Sequence, residues 1–232
     1  MSGAPGQVAA VILAAGRSER LADPVLKPFR RLAGLPMIEY SLRAFRESES
    51  VIGVVVVVPE ELREGLETTL RAGAKVVAVT GGGRTRQESL ARGLACVPPG
   101  AEVVAIHDAA RPMVTPAFID AVVAGVAEGF DGAISAVPVD DAIKEVAEDG
   151  EILRPRSRVG LWRAQTPQAF ARECLESSLA KALADGIVCD DCSEMATRAG
   201  YRVRVVPGDP RNIKVTRPRD LELCERLLNG RP

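Results

Sequence analysis

Apolar residues along this chain fall into short unbroken runs separated by amphipathic stretches. Val8–Leu13, Val51–Val58 and residues 103–106 are almost wholly apolar and rich in β-branched side chains, the pattern of strands buried on both faces of a parallel sheet. Residues 75–79 make a further strand. Between the runs, Met37, Ile38, Leu42 and Phe45 recur at helical spacing behind Pro36, and residues 60–72 form an acid-started helical stretch. Thr85-x-x-Glu88 is a capping box ahead of Leu90, Leu94 and Val97, and Phe118, Ile119, Val122 and Val126 mark a helix over 116–128. Regular strand–helix alternation predicts an α/β fold: one doubly wound, mostly parallel, Rossmann-like sheet with helices on both faces.

The alternation breaks after residue 133. Residues 134–139 are strand-like, and 142–146 and 151–154 flank Glu148-Asp149-Gly150, a hairpin turn signal. Such a hairpin has little core of its own, so a β-arm projecting over about 139–162 needs something to pack on, a second subunit being the natural candidate. Helix is expected over 168–183, a short helix behind Asp191-x-x-Glu194, a late strand over 201–206 and a closing amphipathic helix over 217–228. Residues 1–7 read as a disordered N-terminal tail and 8–232 as a single domain.

Length and charge narrow the function. A chain of 232 residues fits one large α/β domain and needs neither metal nor disulfide to fold. Its net charge of −1 gives no support to nucleic acid or a membrane as partner. No apolar run approaches the ~20 residues that span a bilayer; with no secretory h-region, a cytoplasmic location is expected. Five cysteines argue against a disulfide framework, and Cys189-Asp-Asp-Cys192 lacks the second ligand pair or redox context that would make it a metal or thiol site.

Three segments carry chemistry, and each follows a predicted strand. The first apolar run ends in Ala14-Ala15-Gly16, small enough for a ligand to lie against the backbone, with Arg17, Arg20 and Lys27 close behind. The second segment is Gly81-Gly82-Gly83-Arg84-Thr85-Arg86-Gln87-Glu88-Ser89, and the third is His107-Asp108-Ala109-Ala110-Arg111-Pro112. Ligands of open α/β sheets bind where such carboxyl-end loops converge, and this set suits a polyphosphate. Neither the G-x-x-x-x-G-K-[ST] loop nor the G-x-G-x-x-G fingerprint is present.

Taken in order, Leu13-Ala-Ala-Gly16 with Arg20 and Lys27, Gly82-Gly-x-x-Arg86-x-x-Ser89, 107–112, Arg158-x-Gly-Leu-Trp162, Thr166-Pro-Gln168 and Asn212-Ile-Lys214-Val-Thr216 resemble the 2-C-methyl-D-erythritol 4-phosphate cytidylyltransferase family over about residues 8–228. The resemblance implies cytidylyl transfer from CTP to a polyol phosphate in non-mevalonate isoprenoid synthesis, with Mg2+ and a homodimer built through the arm. It implies catalytic roles for Arg20, Lys27, Arg158 and Lys214. Nucleotide contacts fall to Ala14, Ala15, Gly16, Gly82, Gly83, Arg86 and Ser89, and acceptor contacts to Asp108, Arg111, Thr166 and Cys189, with Asp108 also influencing the metal. His107 reads as structural. Ser18, Pro28, Ala142, Cys189 and Cys192 depart from the family pattern and bear on acceptor affinity more than on reaction class. Competing readings are a pentitol (ribitol) 5-phosphate cytidylyltransferase, a nucleotide-sugar glycosyltransferase, which the absent D-x-D motif disfavours, and a catalytically silent nucleotide-binding regulator.

Overall fold

The computed structural model describes residues 7–16, 27–73, 75–127 and 129–230. The elements run β1 (Val8–Leu13), β2 (Arg31–Leu32), β3 (Leu35–Pro36), α1 (Met37–Glu47), β4 (Val51–Val58), α2 (Arg63–Arg71), β5 (Val76–Gly81), α3 (Arg86–Leu94), β6 (Val103–Asp108) and α4 (Pro116–Ala124). They continue with β7 (Gly132–Pro138), β8 (Ile143–Val146), β9 (Ile152–Arg156), β10 (Trp162–Ala171), α5 (Arg172–Ala184), α6 (Cys192–Arg198), β11 (Val203–Pro207) and α7 (Pro218–Asn229).

Seven strands form one sheet in the order β11-β7-β10-β6-β1-β4-β5, and β10 alone among them runs antiparallel to its neighbours. Burial along β1 shows why the fold is doubly wound. Val8, Ala10 and Ile12 enter one core with Ile38, Leu42 and Phe45 of α1 and Ile119 and Val122 of α4. Ala9 and Val11 enter the other, with Leu90 and Leu94 of α3, Leu175 of α5 and Met195 of α6. A strand with period-2 side chains and both faces covered must be apolar throughout. A smaller cluster of Leu32, Met37, Met113, Val215 and Cys224 fastens α7 beside the β2–β3 hairpin.

The expectation of helix over 168–183 is corrected. Residues through Ala171 belong to β10, and the helix begins at Arg172. A proline inside a central strand argues against that assignment in sequence, but the pairing of β10 with β7 shifts register between Ala164 and Gln168, and Pro167 sits in the gap. Ser135 uses its hydroxyl to donate to the Pro167 carbonyl there.

The 139–162 region does contain a hairpin: β8 and β9 pair only with each other, around a turn in which Gly150 has φ of 94°. Every residue of β9 is exposed, and Val146, Ile152 and Leu153 leave half or more of their surface in water.

Candidate active site

Strand order reverses at β1: β4 and β5 lie on one side of it and β6 on the other. The carboxyl ends of β1 and β6 therefore flank the switch point, where open α/β sheets bind ligands. Register places Leu13 beside Asp108, and the Ala109 amide donates to the Leu13 carbonyl at 3.0 Å. Ala14, Ala15 and Gly16 leave β1 at this point, with the Ala14 amide held by the Val57 carbonyl at 2.7 Å.

The glycine loop after β5 packs against this turn. A Cβ on Gly82 would lie 2.3 Å from that of Ala15, so only glycine lets the two loops touch. Ser89 donates to the Thr85 carbonyl (2.9 Å) and accepts the Gly83 amide (3.1 Å). Its hydroxyl thus shapes the glycine loop from beneath, buried, rather than facing outward. The Arg92 guanidinium clasps the same loop, donating to the Gly82 carbonyl at 2.8 Å and to Glu60 at 3.0 Å. Thr85 caps α3 by accepting the Glu88 amide, while Glu88 accepts the amide of Arg84, one residue before the cap.

Asp108 is the centre of charge. Lys214 donates to its Oδ2 at 2.7 Å, and Arg86 approaches Oδ1 at 3.5 Å. Burial works against the carboxylate's charge, but Arg86, then Lys214 and Arg111, outweigh it and hold Asp108 well below the usual carboxylate range. Arg86 also donates to the Cys192 sulfur at 3.4 Å. Its side chain therefore turns to Asp108 and α6, away from the glycine loop. Burial pushes the Cys192 and Cys189 thiols upward, so both stay protonated.

Beneath Asp108 lies the chain's single histidine, fully buried. A carbonyl can only accept, so the contact of His107 Nε2 with the Arg111 carbonyl (3.1 Å) puts the ring proton on Nε2. Nδ1 then accepts from Thr166 Oγ1 (3.1 Å), which in turn accepts the Asp108 amide (3.1 Å). Both Thr166 and His107 are thereby internal braces between β6, the 109–112 loop and β10. Arg111 braces too: Nη1 donates to the Asn212 carbonyl at 2.8 Å and Nη2 to the Ala164 carbonyl at 3.3 Å.

Beside Lys214 opens a cavity of about 230 Å3 whose lining includes Arg111, Val137, Arg163, Gln165, Asn212 and Lys214. Cys189 lines a separate cavity between α5 and α6. Arg158 stands on the arm, its guanidinium bonded to the Asp140 carbonyl. Arg20 lies outside the described residues, as does the side chain of Lys27, whose backbone opens a short 3-10 turn over Lys27–Phe29.

These loops are the ones that carried the resemblance, and comparison with known proteins decides the matter. The model of the 2-C-methyl-D-erythritol 4-phosphate cytidylyltransferase family matches residues 8–230. The chain belongs to that family. A relative of that name from Frankia casuarinae is 41% identical over 222 residues, covering 96% of this chain and 81% of the relative. One from Caldanaerobacter subterraneus is 40% identical, covering 95% of this chain and 98% of the relative. The crystal structure of the Thermus thermophilus enzyme of that name superposes with a TM-score of 0.78 at 30% identity, over 95% of this chain and 98% of that one. Members of this family are nucleotidyltransferases, and the Rossmann-like α/β sheet is theirs.

Sequence reasoning passed over Arg163, Gln165 and Arg92. Arg163 pairs with Val137 while Gln165 lies in the register shift that follows Ala164, and the irregular backbone lets both line one cavity. A bulge of this kind leaves no periodic signature in the sequence.

Proposed function

We propose that this chain transfers the cytidylyl group of CTP to 2-C-methyl-D-erythritol 4-phosphate, releasing pyrophosphate and forming 4-diphosphocytidyl-2-C-methyl-D-erythritol. The observation that carries the reading is Asp108, ionised between Lys214 and Arg86 at the switch point, between the small-residue turn of β1 and the cation-lined cavity beside β10. A phosphate oxygen of the acceptor attacks the α-phosphorus in line, and negative charge gathers on the non-bridging and leaving oxygens. Arg20 and Lys27 hold that charge along the triphosphate, and Lys214 and Arg158 orient the incoming phosphate. Ala14–Gly16 and Gly82–Gly83 offer backbone at close approach, Ser89 and Arg86 act from below, and Arg111 and Thr166 keep the acceptor side in place.

The donor set decides what metal would fit. Among the described residues no group of three His, Cys, Asp or Glu side chains could hold an ion. Mg2+ needs no such cage, since it is bound through one or two carboxylates together with substrate phosphates and water. Asp108, kept ionised, fits as that single carboxylate; the ion supplies charge neutralisation across the phosphates when bound. The exposed apolar residues of the arm support a homodimer in which each arm covers the other subunit. Among the described residues no helix is long and apolar enough to cross a membrane.

The test is pyrophosphate release from CTP with methylerythritol phosphate and ribitol 5-phosphate, with and without Mg2+. Turnover preferring the former sustains the reading; preference for the pentitol phosphate replaces it, and CTP binding without turnover would leave only a nucleotide sensor.

A further inference from the structure

Three cations line the 230 Å3 cavity, and they are not equivalent. Lys214 is bound to Asp108 and Arg111 to two backbone carbonyls. Arg163, by contrast, has no carboxylate or carbonyl partner among the described residues. It is exposed on β10, opposite Val137 of β7, at the root of the arm. No carboxylate lines the cavity. A guanidinium with no carboxylate partner, in a cavity lined by two further cations and no carboxylate, is suited to an anion, and its planar fork matches phosphate oxygens.

We infer that Arg163 is the guanidinium within this chain that receives the acceptor's phosphate, in the cavity it shares with Arg111 and Lys214. This rests on the function proposed above. It supplies a phosphate anchor from the same subunit as Asp108 and Lys214, where Arg158 belongs to the arm. Arg163 thus contributes to acceptor binding, and the specificity is for a phosphate monoester over an unphosphorylated polyol.

Two measurements on the full chain separate this inference from the reading beneath it. In steady state, Arg163→Gln should raise KM for methylerythritol phosphate roughly 10- to 100-fold, the loss of a hydrogen-bonded charge. KM for CTP should move less than threefold and kcat less than tenfold, with Arg163→Lys intermediate. Arg71→Gln, an arginine on α2 paired to Glu67, controls for bulk charge and should change nothing. In equilibrium titration, inorganic phosphate should shift backbone resonances around 163–165 and 212–214 in the wild type and not in Arg163→Gln. Wild-type turnover with an unchanged acceptor KM in Arg163→Gln would overturn the inference, as would an equal effect in Arg71→Gln. Arg163-dependent phosphate binding in a protein that turns over no polyol phosphate would keep the anion site and sink the proposed function instead; phosphate binding indifferent to Arg163 would sink the site.

Discussion

His107 should make the stability of this protein fall as pH drops from 7 to 5. Burial disfavours the imidazolium, and with Arg111 and Lys214 nearby it outweighs the opposing pull of Asp108, lowering the pKa from 6.5 to about 4. The unfolded chain then binds a proton between pH 6.5 and 4 that the folded chain refuses, so stability is complete above the unfolded pKa and declines below it. For pKa values of 6.5 and 4 the loss between pH 7 and pH 5 is about 2 kcal/mol. In urea that corresponds to a midpoint lower by roughly 1 M. Carboxylates contribute little above pH 5, and no other histidine is present to blur the result. The assay is urea unfolding at half-unit steps of pH for the wild type and for His107→Gln. The variant should be less stable at pH 7, because the Arg111 carbonyl and Thr166 hydroxyl lose a partner, and should show almost no slope. Should that substitution prevent folding, the wild-type imidazole supplies the same answer, since its lone set of NMR resonances should hold neutral to pH 5. A ring that titrates near 6.5, or an equal slope in the variant, would refute the reasoning.

The remaining predictions concern activity and assembly. Lys27→Ala should lower kcat by roughly 100-fold with a smaller effect on CTP affinity, as loss of one charge-stabilising donor does; turnover within a few-fold of wild type would remove Lys27 from that role. Gly82→Ala forces a methyl against that of Ala15, so calorimetry should find CTP affinity at least roughly tenfold weaker in a folded protein; unchanged binding would mean the two loops do not form one nucleotide cradle. Replacing residues 142–153 with a short Gly/Ser linker should give a folded monomer by light scattering that binds CTP and turns over poorly; a fully active monomer, or a dimer that survives the replacement, would remove the arm from assembly.

How much of this was legible in the chain follows from the range of the interactions involved. The valine and isoleucine runs at β1, β4 and β6 announce buried strands because both faces must be covered. Caps are legible since they are local: Asp191 accepts the Glu194 amide as its spacing implied, with Glu194 reaching the Asp190 amide. Gly150 in its turn is local as well. What sequence spacing cannot carry is a commitment between distant residues. Arg86 sits at a motif position beside the glycine loop, yet its partners Asp108 and Cys192 lie on β6 and α6. Thr166 belongs to a motif that reads as an acceptor contact, while its hydroxyl answers to His107 and the Asp108 amide, 59 and 58 residues away.

The antiparallel strand β10 explains why these distant commitments gather in one place. It is inserted between β6 and β7, so the bulge holding Gln165, Thr166 and Pro167 falls alongside the carboxyl end of β6. One face of that bulge hooks Asp108 through Thr166. Another ties down the segment that brings Lys214, because Asn212 donates to the Thr166 carbonyl at 2.8 Å and Gln165 to the Asp209 carbonyl at 2.9 Å. The two ends of the Asp108–Lys214 pair are therefore set by a single stretch of backbone. Asp108 is oriented twice over, its amide through Thr166 and its carboxylate through Lys214 and Arg86. A register-shifted strand with a proline at its centre would weaken a sheet chosen for stability alone. Here it holds one carboxylate and one ammonium against each other at the carboxyl end of β6, beside the β1 turn, the kind of fixed placement that the proposed transfer would draw on.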